Sequence, residues 1–248
     1  MTTVGLLHPG EMGSAIGDAL RESGHEVLWV PAGRSEATAQ RATAFVDVSL
    51  DDLVQRADVI LSVCPPRAAA EVAAPVARSD ALFVDANAIA PATARAIAAG
   101  SERFVDGGIV GPPPRSPGTT RLYLSGARAP EVAELFERTC VDSRVVSAEV
   151  GDASAVKMTY AAWTKGTAAL LLAIRAVAQA EGVAEPLLDE WRLSLPELPQ
   201  LVERAARSAE AKGWRWIGEM EEIAATFAAA GQPDGFHRAA AEVYRSGT

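Results

Sequence analysis

The first 150 residues alternate short apolar runs with amphipathic stretches, and this alternation constrains the fold more than any other feature. Nearly continuous apolar runs are typical of strands that are buried on both faces. Strands that alternate with helices form a parallel sheet whose two faces the helices cover. The predicted strands are Thr3–Leu7, Glu26–Val30, Val59–Val63, Leu82–Asp85, Phe104–Asp106, Arg121–Ser125 and Arg144–Val146. The helices predicted between them are Gly13–Ser23, Ser35–Ala42, Leu50–Arg56, Ala68–Ala77, Pro91–Ala99 and Pro130–Cys140.

The character of the chain changes after residue 150, where the strand-like runs end. One long helix is predicted over Ala153–Glu181, with Gly182 as its stop, and it would span roughly 45 Å. Further helices are predicted over Gln200–Lys212, Ile217–Ala230 and Gly235–Arg245. We therefore expect an α/β chain: a Rossmann-type doubly wound sheet over residues 1–150, followed by a smaller all-helical domain over residues 151–248.

Composition excludes several classes of function. The formal net charge of −9 disfavours binding to the phosphate backbone of nucleic acids. No apolar stretch comes close to the roughly 20 residues that span a bilayer, and no secretory signal pattern opens the chain. Two cysteines, Cys64 and Cys140, indicate neither a disulfide framework nor a zinc site. We expect a cytoplasmic protein without a metal, a nucleic-acid partner or a membrane partner.

The stretch "VGLLHPGEMG" at residues 4–13 joins a predicted strand to a predicted helix. In a dinucleotide site, glycines at such a turn let the backbone approach the phosphates and let the helix pack closely on the strand. Gly10 and Gly13 can serve these purposes, although His8 holds the place of the usual first glycine. A cofactor site lined by His8, Pro9, Gly10, Glu11 and Met12 is predicted, and an ordinary strand-to-helix loop remains the alternative.

The residues after the second strand bear on the type of cofactor. An NAD site usually has an acidic residue here that accepts hydrogen bonds from the ribose, but Leu28 to Ser35 contain none. Arg34 and Ser35 instead offer a cation and a hydroxyl that suit a 2′-phosphate, which favours NADP over NAD. The alternative is a solvated arginine beside a serine that only caps a helix.

Five segments, in order, resemble the β-hydroxyacid dehydrogenase superfamily, which includes 6-phosphogluconate and 3-hydroxyisobutyrate dehydrogenases. They are "GLLHPGEMGSAIGDAL", "ADVILSVCPP", "FVDANAIAPATA", "FVDGGIVGPPP" and "GDASAVKMTYAAWTKG". The C-terminal part is similar to a branch with a short helical domain, so that the resemblance covers nearly the whole chain. It implies a hydride-transfer enzyme with nicotinamide at the carboxyl edge of the sheet. Lys157 matches the family's lysine, which acts as a general acid or base.

The chemistry of Lys157 supports the same role independently. Hydride transfer to a carbonyl leaves negative charge on oxygen, which a nearby ammonium can stabilise and protonate. Tyr160 and Thr164 follow at spacings of three and seven residues, so that a helix would place all three on one face. The alternative is a lysine whose stem is buried and whose amine reaches solvent.

Several other residues are candidates for the site. Asn87 could hydrogen-bond the nicotinamide ribose or the substrate, or could form a simple Asx turn. Cys64 and Pro65 are expected to border the cofactor. Gly108, Val110, Gly111, Trp163 and His237 are expected to contact the substrate, with His237 reaching from a partner subunit; a surface histidine is the alternative.

Two departures from the family pattern bear on the substrate. Val110 replaces a family serine, and Ala161 replaces an asparagine four residues after the lysine. Both changes remove polar contacts, which favours a ketone, aldehyde or imine over a hydroxyacid or a sugar phosphate. The retained Lys157 favours carbonyl chemistry. The main prediction is an NADP-dependent dehydrogenase or reductase; an imine reductase and a non-catalytic NADP-binding regulator are the alternatives.

The long alanine-rich helix predicts the oligomeric state. Its apolar surface is larger than so small a helical domain can cover by itself, and a symmetric partner is the usual solution. We therefore expect a homodimer.

Overall fold

The computed structural model describes residues 1–76, 79–99 and 101–247, and its largest element is an eight-stranded sheet. The strands are β1 (Thr3–Leu7), β2 (Glu26–Trp29), β3 (Val46–Asp47), β4 (Val59–Ser62), β5 (Leu82–Asp85), β6 (Phe104–Val110), β7 (Thr120–Ser125) and β8 (Val141–Ser147). Their spatial order is β3-β2-β1-β4-β5-β6-β7-β8. This order, which reverses between β1 and β4, is that of a doubly wound fold, as predicted.

The sheet is parallel except where β7 pairs antiparallel with β6. The prediction of a wholly parallel sheet is therefore wrong at this one pairing. The segment 111–119 between the two strands is short and forms no helix. A parallel pair needs a crossover of a dozen or more residues, so that a connection this short returns the chain in the opposite direction.

Six helices accompany the sheet within the described residues of this part of the chain. They are α1 (Glu11–Glu22), α2 (Glu36–Arg41), α3 (Leu50–Arg56), α4 (Ala69–Ala73), α5 (Pro91–Ala98) and α6 (Ala129–Leu135). The predicted helix Ala68–Ala77 ends at a residue outside the described part. Close packing of α1 depends on Gly17, where an added Cβ would lie 2.6 Å from the ring of Phe45.

The remaining helices are α7 (Asp152–Ala180), α8 (Ala184–Ser194), α9 (Leu198–Ala229) and α10 (Gly235–Ser246). Two helices were predicted where α9 runs unbroken through Gly213. A glycine inside a helix costs about 1 kcal/mol relative to alanine. Gly213 is buried, and a Cβ there would lie 3.6 Å from the ring of Tyr244 on α10. Packing between the two helices therefore outweighs the low helix propensity of glycine.

The chain divides into two compact units, Met1–Lys157 and Met158–Thr248. The predicted boundary at residue 150 falls just before α7 begins. The first turns of α7 belong to the first unit because they pack on β6, where a Cβ on Gly108 would lie 2.7 Å from the carbonyl oxygen of Ala153.

The interior of the second unit contains a buried polar cluster. Lys165 on α7 forms an ion pair with Glu219 on α9, and its amine lies 5.8 Å from the ring centroid of Trp216. The hydroxyl of Tyr244 donates a 2.6 Å hydrogen bond to the carbonyl oxygen of Lys165. These contacts join α7, α9 and α10 within the unit.

Helix α7 also has the length and apolar composition of a membrane-crossing helix. Its best 18-residue window has a mean hydropathy of 1.2, and 33% of that window is buried. The expectation that no stretch approaches this length is therefore wrong for α7. One such helix is weak evidence for a membrane span, because the core helix of a soluble protein passes the same test.

Candidate active site

The carboxyl ends of β1, β4, β5 and β6 lie side by side at one edge of the sheet. Leu7 is in register with Ser62, and Ser62 with Asp85. Asp85 is in turn in register with Asp106. Ligands of open α/β sheets bind at this edge, where the strand order reverses. Residues that directly follow these strands are therefore the candidates for cofactor and substrate contacts.

The turn after β1 takes the backbone shape of a glycine-rich loop. His8 has a φ of +64°, a left-handed conformation that favours glycine but that histidine adopts more readily than most residues. The N–H of Gly10 donates to the carbonyl oxygen of His8 at 2.7 Å, and an added Cβ on Gly13 would lie 2.9 Å from that oxygen. His8 therefore replaces the usual first glycine of the pattern without changing the turn.

The turn leaves room for a phosphate at the start of α1. A Cβ added to Gly10 would meet no atom within 4 Å, and no side chain caps the helix, which begins at Glu11. The first N–H groups of a helix are unpaired within it, and they favour an anion. Met12 instead packs against the hydrophobic core. The residues present therefore fit the pyrophosphate of a dinucleotide.

Two buried nitrogen atoms in this region have no hydrogen-bond partner among the described residues: Nδ1 of His8 and Nε of Arg34. Burial and the charge of Arg34 lower the pKa of His8 to about 4, so that its ring is neutral at physiological pH. Burial also lowers the pKa of Arg34, which nevertheless stays charged. An anionic group would provide the missing partner for this guanidinium.

Ser35 has the structural role that the sequence left open. Its hydroxyl oxygen accepts a hydrogen bond of 3.3 Å from the N–H of Thr38 and caps α2. Its contact with a 2′-phosphate stays a prediction.

Both the nitrogen and the oxygen of the Asn87 side-chain amide form hydrogen bonds within the protein. Its Nδ2 donates to the hydroxyl of Ser62 at 3.1 Å and to the carboxylate of Asp85 at 3.0 Å. Its Oδ1 accepts a 2.5 Å hydrogen bond from the N–H of Cys64. Because the side chain is buried and paired in this way, Asn87 joins the ends of β4 and β5 and holds the Cys64–Pro65 segment in place.

The groups around Asn87 are also desolvated. Burial raises the pKa of Asp85 to about 6 and that of the Cys64 thiol to about 11. The thiol of Cys64 is therefore protonated at neutral pH and is a poor nucleophile.

The three predicted substrate residues on and after β6 act through packing and backbone shape. A Cβ on Gly108 would lie 2.9 Å from the Cβ of Lys157. Val110 is buried. Gly111 has a φ of +121°, and a Cβ there would lie 2.2 Å from the carbonyl oxygen of Thr119. These positions offer backbone groups, but no polar side chain, to a ligand.

Lys157 lies directly against Gly108 and is half-buried. Burial lowers the pKa of its amine to about 8. Across the described ranges, this amine forms no hydrogen bond or ion pair with another side chain. It is therefore available for proton transfer to a ligand.

The other predicted site residues lie in the second unit. Tyr160 and Trp163 are exposed, at 48% and 73%, and the hydroxyl of Thr164 donates to the carbonyl oxygen of Tyr160 at 3.4 Å. The alternative of a surface histidine at 237 is wrong, because the residue is 7% exposed and its ring packs on Phe227 at a centroid distance of 4.2 Å. The roles of these four residues toward a substrate stay predictions.

Three serine hydroxyls near the site were missed by sequence reasoning: Ser62, Ser125 and Ser154. Each is fully buried and bonds to a residue that is distant in the sequence. No local motif marks such long-range pairs. The apolar surroundings of Ser62 in "VILSVC" were the only available signal.

Comparison with known proteins places this geometry in a family. Residues 3–89 match the family model described as NADP oxidoreductase coenzyme F420-dependent, and residues 178–247 match a domain of unknown function (DUF1932). A 28.5 kDa protein of Methanothermus fervidus is 30% identical over 192 residues, which are 75% of this chain and 74% of that protein.

Two solved structures share the fold over nearly the full chain. Conserved protein MTH1747, which is reported to be structurally similar to 3-hydroxyacid dehydrogenases, has a TM-score of 0.74 at 28% identity. That match covers 99% of this chain and 98% of MTH1747. Mycobacterium tuberculosis 3-hydroxyisobutyrate dehydrogenase has a TM-score of 0.73 at 19% identity, covering 99% of this chain and 93% of that one. At this identity, the second match shows the fold alone.

The fold and the matched N-terminal model define a chain of the NAD(P)-dependent oxidoreductase class. Within that class, it belongs to the β-hydroxyacid dehydrogenase superfamily, in the branch with a short helical C-terminal domain and in the same family as the Methanothermus fervidus protein.

Proposed function

We propose that this protein is an NADP-dependent oxidoreductase that moves hydride between nicotinamide C4 and the carbonyl carbon of a small molecule, with Lys157 as the proton relay. The observation that carries this proposal is the placement of Lys157. Lys157 packs on Gly108 of β6, and its amine has no side-chain partner among the described residues. Gly108 lies toward the same edge of the sheet as the glycine-rich turn after β1.

The cofactor would be held by the turn after β1 and by Arg34. Gly10 and the uncapped start of α1 suit the pyrophosphate, and the Arg34 guanidinium suits the 2′-phosphate. The bound cofactor supplies or accepts the hydride. Asn87 holds Cys64 and Pro65 in place, and its contact with the nicotinamide ribose or the substrate stays a prediction.

Lys157 handles the proton that accompanies the hydride. In reduction, its ammonium donates a proton to the carbonyl oxygen as negative charge develops there, and a neutral amine is left. In oxidation, the neutral amine takes the alcohol proton. A pKa of about 8 makes both forms accessible near neutral pH. Tyr160 and Thr164 would assist by hydrogen bonding to the substrate oxygen.

The substrate we propose is a ketone or aldehyde of low polarity. The end of β6 presents buried Ile109 and Val110 and no polar side chain. A carboxylate or phosphate held there would find only backbone groups and the Lys157 amine as partners, and an incompletely paired buried charge is unfavourable. Lys157 favours a carbonyl over an imine, because an ammonium directly stabilises an oxyanion.

The test is NADPH consumption with a panel of ketones, aldehydes and imines, using wild type, Lys157→Met and Lys157→Ala. We expect carbonyl reduction that falls about 10²–10⁴-fold in both variants, while the NADPH dissociation constant is unchanged. Activity confined to imines would identify an imine reductase. Quenching of NADPH fluorescence without turnover of any compound would identify a regulatory binder.

We also propose that the protein is a homodimer that pairs through a stripe on α7. The α7 stripe comprises Trp163, Thr167, Leu170, Ile174 and Val177. Its alternating spacings of three and four residues are those of a helix-pairing seam, and none of its members is charged. Trp163, Leu170 and Val177 are 73%, 59% and 63% exposed. A second copy of the stripe, related by a twofold axis, would cover these side chains.

A further inference from the structure

Asp106 is a fully buried carboxylate on β6, and it is bonded to the start of the helix that carries Lys157. Its Oδ2 accepts hydrogen bonds from the N–H groups of Gly151 at 3.1 Å and Ser154 at 2.8 Å. Its Oδ1 accepts a 2.6 Å bond from the hydroxyl of Ser154. A carboxylate at the N-terminal turn of a helix also interacts favourably with the helix dipole.

Ser125 extends this anchor to a second strand. It is in register with Asp106 across the β6–β7 pair and donates to Asp106 Oδ2 at 3.0 Å. The oxygen of Ser125 in turn accepts a 3.0 Å bond from the N–H of Ala153. The N–H groups of Gly151, Ala153 and Ser154 and the hydroxyl of Ser154 therefore tie the start of α7 to two strands.

The same face of β6 also receives Lys157. Residues two apart on a strand point to the same side, so that Asp106 and Gly108 both face α7. Gly108 leaves only enough room for the helix backbone, since an added Cβ would lie 2.7 Å from the carbonyl oxygen of Ala153 and 2.9 Å from the Cβ of Lys157. The hydrogen bonds of Asp106 thus hold the beginning of the first turn of α7 on β6, and the close contact at Gly108 holds the part of the helix that reaches Lys157.

We propose that Asp106 is the positioning residue for Lys157: its carboxylate holds the first turn of α7 on β6 and so sets how deeply Lys157 is buried. That this burial matters for catalysis rests on the proposed function. That Asp106 controls the burial of the Lys157 amine does not rest on it.

The experiment measures the rate at which Lys157 reacts with acetic anhydride as a function of pH, quantified by peptide mass spectrometry on the intact folded chain. Only the neutral amine reacts, so the midpoint of the profile reports the pKa of Lys157. For wild type we expect a midpoint near 8. In Asp106→Asn, the loosened helix start admits water, and the midpoint rises toward the ordinary value by about one unit or more.

Asp85→Asn is the matched control, because it makes the same change at the register neighbour of Asp106, whose bonds run to Asn87 rather than to α7. We expect the Asp85→Asn midpoint to equal that of wild type. A general loss of stability would shift the Lys157 midpoint equally in both variants, and equal shifts would overturn the proposal. A folded Asp106→Asn protein with a wild-type midpoint would overturn the proposal.

Two further variants keep the test decisive if Asp106→Asn does not fold. Ser154→Ala removes one bond to the carboxylate, and Gly108→Ala pushes a methyl group against α7. Both are expected to raise the Lys157 midpoint, and unchanged midpoints in both folded variants would overturn the proposal. If the midpoints shift while wild type turns over no substrate, the proposed function fails and the positioning role of Asp106 stands.

Discussion

The side-chain oxygen of Asn87 accepts a 2.5 Å hydrogen bond from the backbone N–H of Cys64, so that one buried amide bridges the ends of β4 and β5. The Asn87 amide group has further bonds to Ser62 and Asp85. The Cys64–Pro65 segment beside the proposed cofactor site is therefore held by a side chain whose own hydrogen bonds are made within the protein, without a ligand.

Asn87→Ala should consequently lower both stability and cofactor affinity. Burying the unpaired N–H of Cys64 and the hydroxyl of Ser62 is expected to lower the free energy of unfolding by about 2–3 kcal/mol. Urea denaturation and NADPH fluorescence titration measure the two effects. Gln55→Ala, which removes an exposed amide, serves as control and should change stability by less than about 0.5 kcal/mol. Equal stability of the two variants would contradict the bridging role.

Arg34→Ala should reduce the preference for NADPH. Loss of a charge-assisted contact to the 2′-phosphate is expected to weaken NADPH binding about 10- to 100-fold, while NADH binding changes little. Arg41→Ala on α2 removes an exposed arginine close by in the sequence and should leave both affinities unchanged. A parallel loss of NADH and NADPH affinity in Arg34→Ala would argue against a 2′-phosphate contact.

Lys157→Met should stabilise the protein at neutral pH although it lowers activity about 10²–10⁴-fold. The pKa of Lys157 is about 8 in the folded chain and 10.5 ordinarily, so that the unfolded chain binds more protons between these values and stability rises with pH there. Below pH 8 the buried charge costs up to about 3 kcal/mol, which methionine avoids. Urea denaturation at a series of pH values should show a stability gain at pH 7 that vanishes near pH 10.5. A variant less stable than wild type at pH 7 would contradict this account.

Trp163→Glu should dissociate the proposed dimer. A carboxylate toward the N-terminal end of the α7 stripe would face apolar side chains of the second copy without a partner. Light scattering coupled to gel filtration at micromolar concentration should give the mass of a dimer for wild type and of a monomer for the variant. Trp214→Glu places the same change on an exposed tryptophan of α9, outside the stripe, and should remain dimeric. A wild-type protein with the mass of a monomer would contradict the proposed dimer.

Local patterns were sufficient to predict the elements that position the site. The turn at Gly10, the carboxyl edge of the sheet and the long helix bearing Lys157 all follow from apolar periodicity and glycine spacing over fewer than 30 residues. The doubly wound class follows from strand–helix alternation. The antiparallel pairing of β7 could not be inferred, because the predicted strands ending at Asp106 and beginning at Arg121 leave 14 residues between them, enough for a crossover. The observed connection is shorter because β6 continues to Val110.

The features that were missed depend on contacts between distant parts of the chain. His237 is buried because Phe227 packs on it, and α9 continues through Gly213 because α10 packs there. The bond between Asn87 and the N–H of Cys64 spans 23 residues, so that no local spacing indicates it. Polar residues in apolar surroundings could be recognised as buried, but their partners could not be identified from spacing.

The close contact at Gly108 restricts how the proposed active site can diversify. Any side chain at that position would collide with the helix that carries Lys157, so that substrate selectivity cannot evolve by replacement there. The loop 111–119 directly follows β6 and is the nearest segment open to variation, except at Gly111, where an added Cβ would meet the backbone of Thr119. A mutagenesis library aimed at new substrates should therefore leave positions 108 and 111 fixed and randomise the rest of that loop.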